Sequence, residues 1–171
     1  AILSLMLTNL AIGTMITMSS THWLMAWVGL ELNTLSIIPI ITKHHHPRST
    51  EATTKYFLTQ AAASALLLFA STVNAWHTGT WDITQLTNQP ACTMLTVALA
   101  MKLGLAPLHF WLPEVLQGTS LTTSLIITTW QKLAPMSLLY LTYNSLNPSI
   151  LMTIGLMSTL IGGWGGLNQT Q

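Results

Sequence analysis

The stretch Met101-Lys-Leu-Gly-Leu-Ala-Pro-Leu-His-Phe-Trp-Leu-Pro-Glu114 sets a lysine, a histidine and two prolines inside an otherwise apolar run. A proline within a helix has no N–H to donate and clashes with the carbonyl four residues earlier. Pro107 should therefore free the Leu103 carbonyl, with Gly104 weakening the same turn, and Pro113 should free the carbonyl of His109. In a bilayer such groups are tolerated only where protein or water satisfies them. The stretch thus reads as a discontinuous membrane helix, broken near 104–107, whose break lines a wet cavity. Lys102 sits beside the break in sequence, with donors suited to the loose carbonyls or to water. A continuous helix would put His109 on the same face as Lys102, about 10 Å away, close enough for water to bridge.

The surrounding sequence requires a membrane. Only 5% of the residues are charged and half are apolar, against about 25% charged in soluble domains. Crossing some 30 Å of hydrocarbon takes about 20 helical residues. Six segments approach that length: 1–19, 23–42, 52–75, 91–117, 121–143 and 148–167. Strand-like alternation is missing, so the expected fold is an all-α polytopic membrane protein of six transmembrane helices, the fourth discontinuous. Trp23, Trp76, Trp81 and Tyr143 fall at segment ends, where an aromatic belt belongs. Lys43, Arg48 and Lys55 gather around the second connection. They place 43–50 on the cytoplasm-like face (the matrix face in a mitochondrion), with Ala1 on that side and Trp76–Pro90 opposite. The chain opens without Met and stops just past an apolar segment. Residues 1–171 are expected to be one transmembrane domain, a fragment of a larger bundle.

Charge is placed where it is most expensive. The chain holds five Lys and Arg and four Asp and Glu, yet Glu31, Lys102 and Lys132 lie at the centres of three apolar segments. Each should cost roughly 2.5–3.5 kcal/mol at the bilayer midplane on the insertion scale. Burial disfavours a charged lysine, and a nearby carboxylate favours it. A Glu31–Lys102 pair that forms and separates would make Lys102 hold and then release a proton, while a static ion pair would only fix packing. Lys132 repeats the pattern, with Gln131 beside it and Pro135 three residues on. Moving one charge against 100 mV costs about 2.3 kcal/mol, and one pKa unit is worth about 1.4 kcal/mol. Shifts of one or two units along this row are therefore of the required size. Glu114, near a segment end, reads as a gate, a structural partner or a solvated charge.

Other features carry less. Cys92 is alone, which excludes an internal disulfide, a CxxC motif and an iron–sulfur ligand set from this chain. Rossmann glycines are missing too, so neither a nicotinamide nor a flavin site is expected. No basic run suggests nucleic acid. His44-His45-His46 precedes Pro47 and reads as a juxtamembrane loop, since consecutive side chains diverge and no acidic or thiol ligand is close in sequence. Gln60-Ala-Ala-Ala-Ser64 and the Gly162/Gly166 pair read as small-residue faces for packing within the chain, with a self-dimer face as the alternative. Asn168-Gln-Thr170 matches a glycosylation sequon that is common by chance.

Met101 to Gly118 resembles the signature of the proton-translocating, antiporter-like subunits of respiratory complex I. Trp27-Val-Gly-Leu-Glu-Leu-Asn33, Glu51-Ala-Thr-Thr-Lys-Tyr-Phe-Leu-Thr-Gln-Ala-Ala-Ala-Ser64 and Gly162-Gly-Trp-Gly-Gly-Leu-Asn-Gln-Thr-Gln171 strengthen the likeness. The resemblance implies a multi-pass subunit of the mitochondrial inner membrane that contacts other membrane-arm subunits and the lipid bilayer. NADH, flavin, iron–sulfur and ubiquinone chemistry would belong to other subunits, with no cofactor in this chain. It implies proton translocation through Glu31, Lys102 and Lys132, and broken-helix or relay roles for Gly104, Pro107, His109, Trp111, Pro113 and Glu114. Thr119 stands where related antiporters often carry proline, and the family's second lysine-bearing half lies beyond Gln171. Two rival readings are a stand-alone cation/proton antiporter and a structural subunit whose buried charges fix helix register.

Overall fold

The computed structural model describes residues 1–106 and 108–170. Eight helices follow one another: α1 (Ile2–Ser19), α2 (Trp23–Ile41), α3 (Pro47–Thr78), α4 (Gln89–Leu103), α5 (Trp111–Gln117), α6 (Leu121–Thr129), α7 (Leu133–Thr142) and α8 (Pro148–Leu167). Tight 3₁₀ turns at Thr42–His44 and Trp130–Lys132 join α2 to α3 and α6 to α7. Among the described residues the only extended pairing is a lone bridge between His22 and Asp82.

Four helices, α1, α2, α3 and α8, are long and apolar enough to cross a membrane. The other two expected spans are each divided into pieces too short to cross alone. The fourth ends at Leu103 and resumes at Trp111. The fifth, expected unbroken over 121–143, is interrupted at Trp130–Lys132. Pro135 accounts for this. It cannot donate to the carbonyl of Gln131, so it sits in the first turn of α7, where its missing N–H leaves no helical bond unmade. The third helix is longer than 52–75, because Pro47 opens it and the His46 ring accepts a hydrogen bond from the Arg48 N–H at 3.1 Å. The expected 43–50 loop thereby shrinks to a single turn. Pro90 and Pro148 open α4 and α8 in the same way, at positions whose N–H has no helical partner.

The hydroxyl residues explain how so polar a sequence tolerates lipid. Thr14, Thr17, Thr34, Ser36, Thr53, Thr96 and Thr142 each donate to the carbonyl four residues back. Each side chain is satisfied within its own helix.

Antiparallel α1 and α2 cross through two glycines. A Cβ on Gly29 would run into the Thr17 hydroxyl and lie 2.9 Å from the Gly13 carbonyl oxygen; one on Gly13 would lie 2.5 Å from Asn33 Oδ1. Gly29→Ala is therefore expected to push the two helices apart. The cost should be about 1–3 kcal/mol, as for other overpacked sites, read as a lower denaturation midpoint of the detergent-solubilised protein.

The far connection is pinned over the bundle. Buried Asn74 donates to the Gln85 carbonyl at 3.1 Å and accepts from the Thr87 and Asn88 N–H groups. Trp23 and Ile83 N–H groups bond Trp81 and Thr21 carbonyls. In that loop Asp82 accepts from the N–H and hydroxyl of Thr84, which hold its carboxyl below the usual carboxylate value.

Two apolar clusters fill the interior. One gathers Trp23, Leu30, Leu67, Leu95, Leu99 and Leu138. The other gathers Leu10, Ile37, Tyr56, Trp111, Val115 and Ile127. Each of α2 and α3 contributes to both clusters at different heights, so a layer of each lies between them.

Candidate functional site

That intermediate layer is polar. On α2 it holds Glu31, Asn33 and Thr34, between Leu30 and Ile37. On α3 it holds Gln60 and Ser64, between Tyr56 and Leu67. The end of α4 supplies Lys102 and the turn before α7 supplies Gln131 and Lys132. Asn33, Thr34, Gln60, Ser64 and Lys102 are all buried, Lys102 to 5% exposure.

The helix break is built at Gly104. Its φ of +73° is left-handed, a conformation that favours glycine, and its N–H caps the carbonyls of Ala100 and Met101. A Cβ there would lie 3.4 Å from both Lys132 Nζ and Trp111 Cζ2, ordinary contact distance, so it is the backbone conformation that calls for glycine. The polar groups freed by the break are taken up by other elements. Lys132 Nζ donates to the Leu103 carbonyl. The Trp111 indole N–H donates to the Met101 carbonyl at 3.0 Å. The Ala106 N–H donates to Ser158 Oγ at 3.0 Å, and that hydroxyl donates onward to Ile154 of its own helix. Trp111 is held edge-on by Tyr56, with ring centroids 5.8 Å apart, and its face lies 5.5 Å from Lys132 Nζ.

This exchanges the two lysines relative to the sequence expectation. The left-handed turn at Gly104 redirects the chain. The loose carbonyl of Leu103 then faces Lys132 of the next segment, and Lys102 stays buried on the last turn of α4. Glu31 lies within Coulombic range of Lys102 and of Tyr56. The ion pairs among the described residues are Lys55–Glu51 and Lys55–Glu114; Glu31 and Lys102 are not in direct contact, so a static ion pair is not the arrangement seen.

Other expected site residues fall differently. Pro107 lies outside the described residues. His109 does not share a helical face with Lys102, because α4 has already ended; it stacks on Phe110 at 4.6 Å. Its carbonyl is not freed by Pro113 but accepts from the Leu112 N–H at 3.1 Å. Pro113 occupies the first turn of α5, so it starts a helix rather than breaking one. The Glu114 carboxylate meets Lys55 at 3.1 Å, and Lys55 meets Glu51 at 2.9 Å. This half-exposed cluster ties α5 to the start of α3, and solvent screens such pairs. Among the described residues no three His, Cys, Asp or Glu converge as a metal site would need.

Among the described residues nothing packs on the Gly162/Gly166 face. Nothing lies within 4 Å of a Cβ built at either position, and α8 buries no residue. Its sequence carries the small residues, but the described part of the chain supplies no helix to meet them.

Five polar atoms in and around the layer are buried without a protein partner: Glu31 Oε1, Asn33 Oδ1, Ser64 Oγ, His109 Nδ1 and Gln131 Nε2. Asn33, Gln60, Ser64 and Ser158 were not singled out as site residues from sequence. For Asn33 the available signal was its place two residues after Glu31 in an apolar segment, and for Gln60 and Ser64 their four-residue spacing on one face of an apolar helix; Ser158 offers none, since its partner lies 52 residues away.

Helices of membrane-spanning length, a broken helix and cations buried in a polar layer define an antiporter-like membrane bundle. Over residues 20–171 the sequence matches the family described as NADH:quinone oxidoreductase/Mrp antiporter, transmembrane, and the chain belongs to that family of multi-pass membrane proteins. More particularly, it is 66% identical over 168 residues to NADH-ubiquinone oxidoreductase chain 2 of Xenopus laevis, covering 98% of this chain and 49% of that protein. It is 62% identical over 170 residues to the chain 2 protein of Oncorhynchus mykiss, covering 99% and 49%. The chain thus spans about half the length of these relatives. Among solved structures, a chain of respiratory complex I from Thermus thermophilus with bound aureothin superposes with a TM-score of 0.91 at 29% identity, over 98% of this chain and 40% of that one. A chain of an archaeal membrane-bound sulfane sulfur reductase shares the fold, with a TM-score of 0.75 at 19% identity over 91% of this chain and 35% of that one.

Proposed function

We propose that this chain is part of a proton-translocating membrane-arm subunit of NADH:ubiquinone oxidoreductase. It would sit in the mitochondrial inner membrane beside other membrane-arm subunits, with residues 43–50 on the matrix side. Electron transfer takes place in other subunits, which carry the redox cofactors. The observation that carries this reading is the placement of Glu31, Lys102 and Lys132 in one polar layer between two apolar clusters, with the lysines on either side of a helix break.

In this reading Lys102 is the buried proton store. The Glu31 carboxylate is the countercharge nearest to it in the layer, without direct contact. Neutralising or displacing Glu31 therefore prompts Lys102 to release its proton. The partnerless polar atoms are natural hydration points, through which a proton passes towards Lys132. The apolar clusters above and below keep bulk water from short-circuiting the layer.

The test uses the parent complex in sealed vesicles with Glu31→Gln, which keeps side-chain shape and removes the charge. NADH oxidation and proton uptake are expected to fall together about three- to tenfold, roughly the effect of 0.7–1.4 kcal/mol on a barrier. Wild-type rates at the wild-type ratio would reject a proton-carrying role for the layer.

A further inference from the structure

We propose that the seam between α1 and α6 is a binding site for an anionic phospholipid, with its phosphate at Lys43. A cavity of about 290 Å³ opens at the end of the bundle and is lined by Lys43, Ser120, Thr122 and Thr123 around an apolar floor. A second, of about 310 Å³, continues inward towards Thr129 and Trp130. The two share Leu7 and Ile126, so they form one groove. It follows about two turns of α1 from Leu3 to Ala11, roughly 12 Å of helix rise.

The chemistry changes along the groove as it does along a lipid. At its mouth stand one ammonium and four hydroxyls, Ser49 included, and no acidic residue lines either cavity. Lys43 is exposed and has no ion-pair partner among the described residues. Ser120 caps the start of α6, whose positive dipole end favours an anion. Deeper in, the lining is Leu7, Leu10, Ala11, Leu125 and Ile126 with the Trp130 ring, suited to an acyl chain. Lys43 also borders a third cavity, of about 340 Å³, against Leu3, Met6 and Ile40, which gives the same headgroup a place for a second chain. Charge at the polar end and an apolar track leading into the membrane fit a phospholipid better than a helix, which would bury Lys43 against apolar surface. None of these residues belongs to the proton-carrying layer, so the site stands or falls separately from it.

The experiment uses the full-length protein in its assembled complex, reconstituted with photoactivatable phosphatidylglycerol or phosphatidylcholine carrying the same diazirine-labelled acyl chain. Labelled peptides are mapped by mass spectrometry. Phosphatidylglycerol should label the peptides holding Leu7 and Ile126 about fivefold more than phosphatidylcholine, the preference expected from one basic residue at the surface. Lys43→Gln should bring the two to parity and leave phosphatidylcholine labelling unchanged. Equal labelling in the wild type, or a preference that survives Lys43→Gln, overturns the headgroup site. Absence of labelling by either lipid overturns the groove itself, showing that protein covers it.

Discussion

Lys102→Met in the full-length chain should lower NADH-driven proton uptake of the assembled complex by more than tenfold in sealed vesicles, and NADH oxidation with it, while assembly is retained. Methionine matches the lysine stem in length and removes only the ammonium. Lys102 is buried on the last turn of α4 and takes part in none of the contacts that close the helix break. Lys102 has no ion-pair partner among the described residues, so methionine removes a desolvated charge without stranding a group in direct contact with it. The substitution therefore separates proton handling from packing. Persistent activity at the wild-type ratio would leave Lys102 as a packing element and favour the structural-subunit reading. Sodium-dependent transport without NADH would favour the stand-alone antiporter instead.

The fold class was legible because membrane helices announce themselves by length and apolarity, which do not depend on tertiary contacts. The break was legible for a related reason: Gly104 acts on the backbone locally. What the sequence could not convey was the direction in which the chain leaves a break. Lys102 is adjacent in sequence to the loose carbonyl of Leu103, and adjacency made it the natural donor. The left-handed Gly104 turns that carbonyl towards a residue 29 positions away. The break before Pro135 was half visible. Gln131, Lys132 and Pro135 were recognised as a repeat of the pattern, yet only the fourth segment was expected to be discontinuous. The α1–α2 crossing was invisible, since Gly13 and Gly29 sit singly in separate helices and only their approach gives them meaning. The Gly162/Gly166 pair misled in the opposite sense: a recognisable motif with no partner helix in the described chain.

Lys132 has two duties in this structure that one substitution cannot separate, so its test needs a pair. Its ammonium donates to the Leu103 carbonyl and lies over the Trp111 ring, which makes it a clamp on the break. In the proposed mechanism it must also lose a proton. Arginine can reach the same carbonyl and stacks well on an aromatic face, but it does not deprotonate in proteins. Lys132→Arg should therefore preserve assembly and thermal stability while cutting coupled proton uptake about tenfold or more. Lys132→Met should fail in both respects. It strands a buried carbonyl at a cost of about 1–3 kcal/mol and forfeits a cation–π contact worth about 0.5–2 kcal/mol. The expected result is less assembled complex and a lower unfolding midpoint. Arginine supporting normal transport would reduce Lys132 to a clamp. Methionine assembling with wild-type stability would show that the break is held by Trp111 and Ser158 without it. Only loss of transport with arginine, together with loss of stability with methionine, is consistent with a lysine that both closes the helix break and passes the proton across it.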